Sequence, residues 1–294
     1  MSLLEQLPGG LLTDAVVTSC YRYSHGVTIL VFPSPVAKGG DYRYPYTVAD
    51  QSTYIVGDVH GRLDSLEALL EDIRADAEGR NSGFFIVFVG DLVDRGPDSA
   101  GVIRRVRELV EQQMAASVLG NHDEMFLQTV SLARPDLLPE GSQSVADLPE
   151  AMMLRHWLSQ GGRETLESYR QDPSTPASWH FPEGDIPFLE GLPLYWENEQ
   201  VVVTHALPSR EMLFRARKPG GSSDPEVRQE LLWRRQEPVE SPDPERLHVS
   251  GHTPVRNAVF HQSINALQID TACVFGIALS AYCVETGELL SVAC

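Results

Sequence analysis

The sequence has few of the features that mark secreted or membrane proteins. It contains only four cysteines in 294 residues, at positions 20, 273, 283 and 294. Their spacing matches neither a zinc motif nor a disulfide scaffold, so we expect free thiols in a reducing compartment. The start of the chain has no basic segment followed by an apolar core, and apolar runs such as residues 27–32 are too short to span a bilayer. We therefore expect a cytoplasmic protein with no membrane partner.

Basic residues are scarce relative to acidic ones. There are 23 lysines and arginines against 41 aspartates and glutamates, which gives a net charge of −18. Because nucleic-acid-binding proteins present a basic face, we expect no nucleic-acid partner. A local phosphate site is still compatible with this charge, since salt screens charges beyond about 8–10 Å. Metal ions and a few arginines can then dominate the local field.

Three apolar segments end in a glycine that is followed at once by polar side chains. They are residues 54–61 (YIVGDVHG), 84–96 (FFIVFVGDLVDRG) and 116–123 (ASVLGNHD). Unbroken apolar runs are typical of strands buried on both faces, and open α/β sheets carry their functional residues at the carboxyl ends of such strands. We therefore expect the three ends to converge. Their Asp, Asn and His side chains are suitable ligands for a pair of divalent cations.

The segments between these strands have apolar residues at helical spacing. Residues 64–75 and 100–114 are each predicted to form a helix, and a third helix is predicted to start at residue 124. Alternating strands and helices predict parallel strands with right-handed crossovers, and hence an α/β fold. Residues 267–271 and 276–283 are predicted to be strands of a second, partly antiparallel sheet.

The composition divides the chain into a lead-in and a main domain. Residues 1–50 form the lead-in, with a predicted hairpin extension whose strands lie at 15–20 and 27–32. Residues 51–294 form the main domain. Within it, the proline-rich residues 134–191 are predicted to be a helical cap inserted over the site. This cap could be purely structural or could shape the substrate pocket.

The three polar blocks resemble the signature blocks of the phosphoprotein phosphatase family, in its bacterial serine/threonine protein phosphatase-like branch. That family belongs to the calcineurin-like metallophosphoesterases. His205 and residues 251–253 (GHT) stand where it has two later histidine ligands, so the resemblance spans residues 54–281. It implies an α/β metallophosphatase domain in which two mixed β-sheets pack as a sandwich flanked by helices. These form four αββα layers, with a helical insertion and the site at the top edge.

The resemblance also implies a set of ligands for two divalent metal ions. The ligands are Asp58, His60, Asp91, Asn121, His205 and His252. Asp91 is expected to bridge the metals, with Asp58 and His60 on the first and the other three ligands on the second. Mn²⁺ is the expected ion, with Fe and Zn²⁺ as alternatives. A water or hydroxide between the metals would attack phosphorus directly, without a phosphoenzyme.

The third block supplies a candidate acid catalyst. By resemblance, His122 protonates the leaving group as general acid, and Asp94 orients its imidazole. The chain departs from the family pattern directly after His205. Residues 206–208 (ALP) stand there in place of the more common Ala-Gly, and we expect them to reshape the pocket beside the second metal.

Substrate phosphate is expected to contact two arginines. Arg95 offers a planar guanidinium that matches phosphate oxygens, and Asn121 is expected to assist it. The family has a second phosphate-binding arginine later in the chain. Residues 231–235 (LLWRR) resemble the bacterial block that carries it, which indicates Arg235, with Arg234 as the alternative.

The motifs imply a hydrolase acting on phosphoester bonds but do not name the leaving group. Residues 156–169 resemble a segment of the bacterial protein-phosphatase-like branch. The first expectation is therefore a serine/threonine-type phosphoprotein phosphatase that hydrolyses phosphomonoesters. The alternative is a symmetrical bis(5′-nucleosyl)-tetraphosphatase, a relative with the same ligands. The partner is accordingly a phosphorylated protein or a small phosphoester, and the sequence does not define the oligomeric state.

Overall fold

The computed structural model divides into two compact units, residues 1–40 and 41–294. It describes residues 19–22, 28–31, 51–137, 150–236 and 239–294. In the first unit, strands β1 (Ser19–Arg22) and β2 (Thr28–Val31) pair antiparallel. The predicted hairpin is therefore present with different strand bounds, and its predicted turn lies outside the described residues.

The second unit contains the strands and helices that build the site. Its strands are β3 (Gln51–Val56), β4 (Gly83–Phe88), β5 (Ala115–Ser117), β6 (Tyr195–Glu197), β7 (Val201–Thr204), β8 (Leu247–Ser250), β9 (Val259–His261), β10 (Ala266–Gln268), β11 (Ala278–Cys283) and β12 (Leu289–Ala293). Its helices are α1 (Leu63–Gly79), α2 (Ser99–Glu111), α3 (Asn121–Ala133), α4 (Glu150–Trp157), α5 (Arg163–Ser168), α6 (Asp185–Glu190), α7 (Arg210–Ala216) and α8 (Pro225–Trp233). None of the helices in the described ranges combines the length and apolar character needed to cross a bilayer.

The strands form two mixed sheets, as the α/β resemblance implied. The first has the order β12-β11-β3-β4-β5, in which β3, β4 and β5 are parallel and follow the predicted strand–helix alternation. The second has the order β6-β7-β8-β10-β9 and pairs β7 with β8, and β8 with β10, in parallel. The carboxyl ends of the parallel strands therefore carry the polar loops at one edge of each sheet.

One predicted strand lies in the other sheet. Residues 276–283 were expected in the second sheet, but β11 pairs antiparallel with β3 in the first. The reason is its buried face, since Leu279, Ala281 and Cys283 join the apolar cluster that contains Leu66 of α1. Burying that face against the helix layer requires a place beside β3.

Successive side chains of a strand point to opposite faces of the sheet, and this divides the core into layers. On β3, Ile55 faces an apolar layer that also contains Val87, Val203 and Val249, so this layer joins the two sheets. Its neighbour Tyr54 lies in a separate cluster with the helices on the other side of the first sheet. The two sheets thus pack as a sandwich, and the strands that carry the site are buried on both faces.

The described part of the predicted cap belongs to the main core. Trp157, Trp179 and Phe181 are buried in the same cluster as helices α1 to α3. The ring of Phe126, on α3, lies 5.3 Å from the rings of both Trp157 and Phe181, measured between centroids. Aromatic packing of this extent gives the segment a structural role.

The expectation of free thiols is wrong for two of the cysteines. Cys273 and Cys294 form a disulfide across 21 positions of sequence, whereas Cys283 is free and buried. The pairing is created by the fold, because β12 runs antiparallel beside β11 and returns the chain to the turn before β11. The side chain of Cys20 lies outside the described part of the chain. A disulfide weakens the argument for a reducing compartment, so a cytoplasmic location stays a prediction.

A buried ion-pair cluster joins α7 to the segment before β8. The Asp243 carboxylate accepts hydrogen bonds from Arg217 and Arg246, both at 2.8 Å. Burial raises the pKa of Asp243, but the hydrogen bonds from Arg246 and Arg217 outweigh burial and lower the pKa to about 2. A lowered carboxyl pKa stabilises the fold at pH values above the ordinary pKa of about 3.9, and this stabilisation is lost as the pH falls towards 2.

We expect Asp243→Asn to lower the free energy of unfolding at pH 7 by about 2–3 kcal/mol, because a neutral amide pairs poorly with two guanidinium groups. The matched control is Asp64→Asn, whose side chain is 66% exposed in its pair with Arg62, against 7% for Asp243. Exposed pairs contribute about 0–1 kcal/mol. Chemical denaturation at pH 7 and pH 3 measures the free energy of unfolding of both variants. An equal loss of stability in the two variants at pH 7, or a loss for Asp243→Asn that is as large at pH 3 as at pH 7, would contradict this assignment.

Candidate metal centre

The six predicted ligands lie on five loops, and the structure brings them together at one place. These side chains are Asp58, His60, Asp91, Asn121, His205 and His252, and all are buried, with at most 5% exposure. They follow β3, β4, β5, β7 and β8, the strands that run parallel within the two sheets. The convergence of the three sequence blocks is therefore confirmed, and both later histidines join them.

The carboxylate of Asp91 lies between two histidines. Its Oδ2 is 3.4 Å from Nε2 of His60, and its Oδ1 is 3.4 Å from Nε2 of His205. Candidate ligand atoms of Asp58, Asp91 and His205 all lie within 4.8 Å of one another, as do those of His60, Asp91 and His122. The two oxygens of Asp91 thus face two different groups of donor atoms.

The hydrogen bonds of His60 and His205 leave a lone pair on each Nε2. Nδ1 of His60 donates to the carbonyl of Val93, and Nδ1 of His205 donates to the carbonyl of Val89, both at 2.8 Å. Arg95 also donates to Nε2 of His60 at 2.7 Å, so this nitrogen is an acceptor. Burial lowers the pKa of His205 to about 3 and that of His60 well below its ordinary value. Both imidazoles are therefore neutral, as metal ligands must be.

Asn121 and His252 add two donors to the group that contains His205. The Asn121 side-chain oxygen lies 2.8 Å from Nε2 of His205 and 2.9 Å from Nδ1 of His252. Burial, and then the carboxylates of Asp270 and Asp91, raise the pKa of Asp58 well above its ordinary value. Crowded buried carboxylates of this kind are costly without a cation. The donor set therefore fits divalent metal ions.

His122 lies beside this centre, with one ring nitrogen anchored and the other facing it. Its Nδ1 is 2.7 Å from Oδ2 of Asp94 and its Nε2 is 2.7 Å from the Arg95 guanidinium. Burial lowers the pKa of His122 to about 4 and raises the pKa of Asp94. Since Nδ1 is engaged by the carboxylate, Nε2 is the nitrogen that can exchange a proton with a ligand. It accepts a hydrogen bond from Arg95 in this structure, so it has to take up a proton before it can act as an acid.

The cap residues Trp157 and Thr165 hold Asp94, a contact that was not predicted from the sequence. Nε1 of Trp157 donates to both carboxylate oxygens at 3.0 Å, and the Thr165 hydroxyl donates to one of them at 2.7 Å. The same hydroxyl accepts the backbone N–H of Asp94 at 2.9 Å. Both residues lie in the segment 156–169, but neither their spacing nor their type predicts a contact with Asp94.

The cap also positions Arg95. The carbonyl of Gly161 accepts the backbone N–H of Arg95 at 3.0 Å. Gly161 has a φ of +111°, and a Cβ built on it would lie 2.6 Å from the same backbone nitrogen. Only glycine fits this approach without displacing Arg95. The cap is thus both part of the core and a support for two side chains of the site.

Asp123 was not predicted as a site residue, but it orders the loop that carries Asp91. Its carboxylate accepts the backbone N–H groups of Asp91, Leu92 and Gly120, each at 2.9 Å. Asp91 itself has a positive φ of 53°, a conformation that non-glycine residues rarely adopt. Three hydrogen bonds to one buried carboxylate offset this strain, which is typical of functional loops.

The two candidate arginines at the end of α8 lie in different surroundings. Arg234 pairs with Glu230 at 2.7 Å. Burial is the main cause of the lowered pKa of His122, and the positive charge of Arg235 lowers it further. Arg235 acts in the same sense on His205. Arg235 therefore contributes to the electrostatic potential at the centre, whereas the charge of Arg234 is paired with Glu230.

Fold and site together define the class of the protein. The family model of calcineurin-like phosphoesterases matches residues 52–268, so the chain belongs to this family. The resemblance stated from the sequence blocks is therefore confirmed, and with it the α/β fold and a hydrolase activity on phosphoester bonds. The family implies divalent metal ions, which the donor set described above fits.

Particular relatives narrow the comparison. The chain is 30% identical over 259 residues to the asymmetrical bis(5′-nucleosyl)-tetraphosphatase PrpE of Oceanobacillus iheyensis, covering 81% of this chain and 91% of that protein. It is 38% identical over 112 residues to a symmetrical bis(5′-nucleosyl)-tetraphosphatase of Ralstonia nicotianae, covering 38% of this chain and 37% of that protein. A crystal structure assigned to a diadenosine tetraphosphatase has a TM-score of 0.51 at 25% identity, covering 84% of this chain and 98% of that one.

We expect Thr165→Val to destabilise the protein by about 1–3 kcal/mol, since it leaves a buried carboxylate and a buried N–H each one partner short. The residue is fully buried, and valine has nearly the same shape. Thr165→Ser is the control, because it keeps the hydroxyl and removes only a methyl group. Chemical denaturation distinguishes them. A serine variant less stable than the valine variant would show that packing, and not the bonds to Asp94, decides the role of Thr165.

Proposed function

We propose that this protein hydrolyses bis(5′-nucleosyl) tetraphosphates. The observation that carries the substrate is the similarity to PrpE, which spans 91% of that relative. The site supports the chemistry, because Asp91 faces two donor groups and His122 lies beside them. Of the two activities expected from the sequence, the comparisons thus favour the tetraphosphatase over the phosphoprotein phosphatase.

On this proposal two divalent cations bind on the two sides of the Asp91 carboxylate, and Mn²⁺ is the ion we propose. The division of the ligands follows the family pattern, although the donor atoms of Asp58 lie within 4.8 Å of those of Asp91 and His205. Asp58, His60 and Asp91 would hold the first, and Asp91 would share in the second group with Asn121, His205 and His252. When bound, the cations would supply Lewis acidity and lower the pKa of the attacking water. The hydrogen bonds from His60 and His205 to backbone carbonyls fix the ligand tautomers for this task.

His122 is the proposed proton donor to the leaving phosphate oxygen. Nε2 faces the centre, while Nδ1 is held by Asp94 at 2.7 Å. Burial lowers the pKa of His122 in the absence of substrate. A polyphosphate carries several negative charges, and a negative charge close to an imidazole raises the pKa of that imidazole. Substrate binding would therefore itself favour the protonated form that the reaction needs.

Arg95 and Arg235 are the proposed partners of the substrate phosphate oxygens, together with Asn121. The Arg95 guanidinium lies 2.7 Å from Nε2 of both His60 and His122, so it is directed at the centre. Arg235 is exposed, and its positive charge acts on His122 and His205. The net charge of −18 disfavours polyanions at a distance, so these two cations matter for local attraction.

We propose cleavage at the asymmetrical position, because the relative covered over nearly its whole length is named for it. Asymmetrical hydrolysis of bis(5′-adenosyl) tetraphosphate yields ATP and AMP, whereas symmetrical hydrolysis yields two molecules of ADP. Phosphoprotein hydrolysis is the second candidate, supported by the resemblance of residues 156–169 to the protein-phosphatase-like branch. That segment contacts the site through Trp157 and Thr165.

We expect kcat/KM for bis(5′-adenosyl) tetraphosphate to exceed that for a phosphothreonine peptide by at least about 100-fold, which equals about 2.7 kcal/mol of transition-state binding. Initial rates with Mn²⁺ measure this ratio, and chromatography of the nucleotide products gives the cleavage position. A ratio in favour of the peptide would contradict the proposed substrate. If ADP is the product, the proposed substrate is correct but the proposed asymmetrical cleavage is wrong.

Asp91→Asn is expected to weaken binding of both metal ions together, because one carboxylate serves both groups. Titration calorimetry with Mn²⁺, and elemental analysis of protein purified without added metal, measure stoichiometry and identity. Asp136→Asn is the control, since that carboxylate is 63% exposed in a surface ion pair. Retention of one ion at full affinity in Asp91→Asn would contradict the shared carboxylate.

His122→Asn is expected to lower kcat by about 10²–10⁴-fold while both metals stay bound, because it removes an acid and not a ligand. Metal stoichiometry and steady-state rates are measured on the same preparation. Loss of metal from this variant would instead identify His122 as a ligand, in the group it forms with His60 and Asp91.

A further inference from the structure

A groove of about 460 Å³ opens beside Arg95, outside the group of metal-binding side chains. One wall is the π-helical turn Leu158–Gly162 with the start of α5, and the other is the turn Cys273–Phe275. This volume lies within the range of about 300–1,000 Å³ that small-molecule sites occupy. Neither the ligand set nor the acid catalyst uses this space.

Phe275 presents an open aromatic face in this groove. Its side chain is 62% exposed, so much of the ring is accessible to a ligand in the groove. The Arg95 guanidinium carbon lies 5.7 Å from the ring centroid. Aromatic rings that stand at the rim of a phosphate site are suited to stacking with nucleobases.

The turn that carries Phe275 is firmly held. Cys273 is tied to Cys294 by the disulfide, and its carbonyl accepts a hydrogen bond from Arg62. The backbone N–H of Phe275 donates to the carbonyl of Ala272 at 3.0 Å. A ring whose backbone is fixed in this way loses little conformational entropy when a ligand stacks on it.

The rest of the lining mixes apolar residues, Leu158 and Val274, with polar side chains that can recognise a nucleoside. Gln160, Arg163 and Glu164 line the groove together with Arg95. A carboxamide can pair with a base edge, a carboxylate can accept hydrogen bonds from ribose hydroxyls, and a guanidinium attracts phosphate. Arg95 contacts both the ring of Phe275 and Nε2 of His122, so a base in the groove leaves its phosphates at the catalytic centre.

We propose that this groove is a nucleoside-binding subsite in which Phe275 stacks on the base. The proposal rests on the proposed function, because it supplies the site for one nucleoside of a bis(5′-nucleosyl) tetraphosphate. It makes Phe275 a specificity-determining residue that separates nucleotide substrates from phosphates without a base.

The direct test measures binding of α,β-methylene-ADP and of methylenediphosphonate, a pair that differs only by the nucleoside. We expect metal-loaded protein to bind the nucleotide at least about 10-fold more tightly, and Phe275→Ala to remove this difference while the diphosphonate affinity stays unchanged. Phe275→Trp should keep it. Phe214→Ala is the matched control, because Phe214 is a 57% exposed ring that also faces a cation, Lys218, at 4.1 Å.

Three results would overturn the subsite. The wild-type protein could bind both ligands equally, Phe275→Ala could leave the difference intact, or this variant could weaken both ligands alike. The last result would show that Phe275 only supports Arg95. These binding measurements do not require turnover. Failure of the wild-type enzyme to hydrolyse bis(5′-adenosyl) tetraphosphate would therefore contradict the proposed function separately.

Kinetics give a second readout. For bis(5′-adenosyl) tetraphosphate, we expect Phe275→Ala to raise KM about 10-fold with kcat within about twofold, because stacking binds ground state and transition state alike. The inhibition constant of inorganic tripolyphosphate should not change. An unchanged KM, or a parallel change in the tripolyphosphate constant, would contradict a nucleoside contact.

Discussion

The structure depends on one buried carboxylate, that of Asp91. It is only 2% exposed and stands between His60 and His205 at the carboxyl end of β4, the strand next to the centre of the first sheet. Asp58 and Asp270 add to the negative charge, and burial raises the pKa of both. Such crowding is costly in a low-dielectric interior unless cations neutralise it. The sandwich meets this demand by bringing the imidazoles of His205 and His252 from the second sheet, and the Asn121 amide from the first, to the same point.

The helical cap joins stability and chemistry. Trp157 packs on Phe126 in the main core, and its indole N–H reaches Asp94, which in turn anchors His122. The tight approach of Gly161 fixes the backbone of Arg95. A single segment thus supports the proposed acid and a proposed phosphate contact. On our proposal, the opposite wall of the adjoining groove adds an aromatic surface, so catalytic and recognition elements share Arg95.

Much of this could be predicted from the sequence, where chemistry follows directly on local pattern. β4 is an almost entirely apolar run, β3 ends in one, and β5 leads into the apolar pair Val118 and Leu119. The ligands follow within a few residues of each strand end. The contacts of Trp157 and Thr165 with Asp94 could not be predicted, because they depend on how the cap docks. The place of β11 beside β3 and the pairing of Cys273 with Cys294 likewise result from tertiary packing, which no local pattern encodes. Asp123 was passed over because its partners are backbone N–H groups, which every sequence has.

Anomalous diffraction from crystals grown with Mn²⁺ shows directly whether Asp91 is shared by two metal ions. We expect two peaks about 3.5–4 Å apart, one on each side of the Asp91 carboxylate. The first should contact Asp58 and His60, and the second should contact Asn121, His205 and His252. A single peak, or two peaks that do not share Asp91, would show that this carboxylate does not bridge two ions.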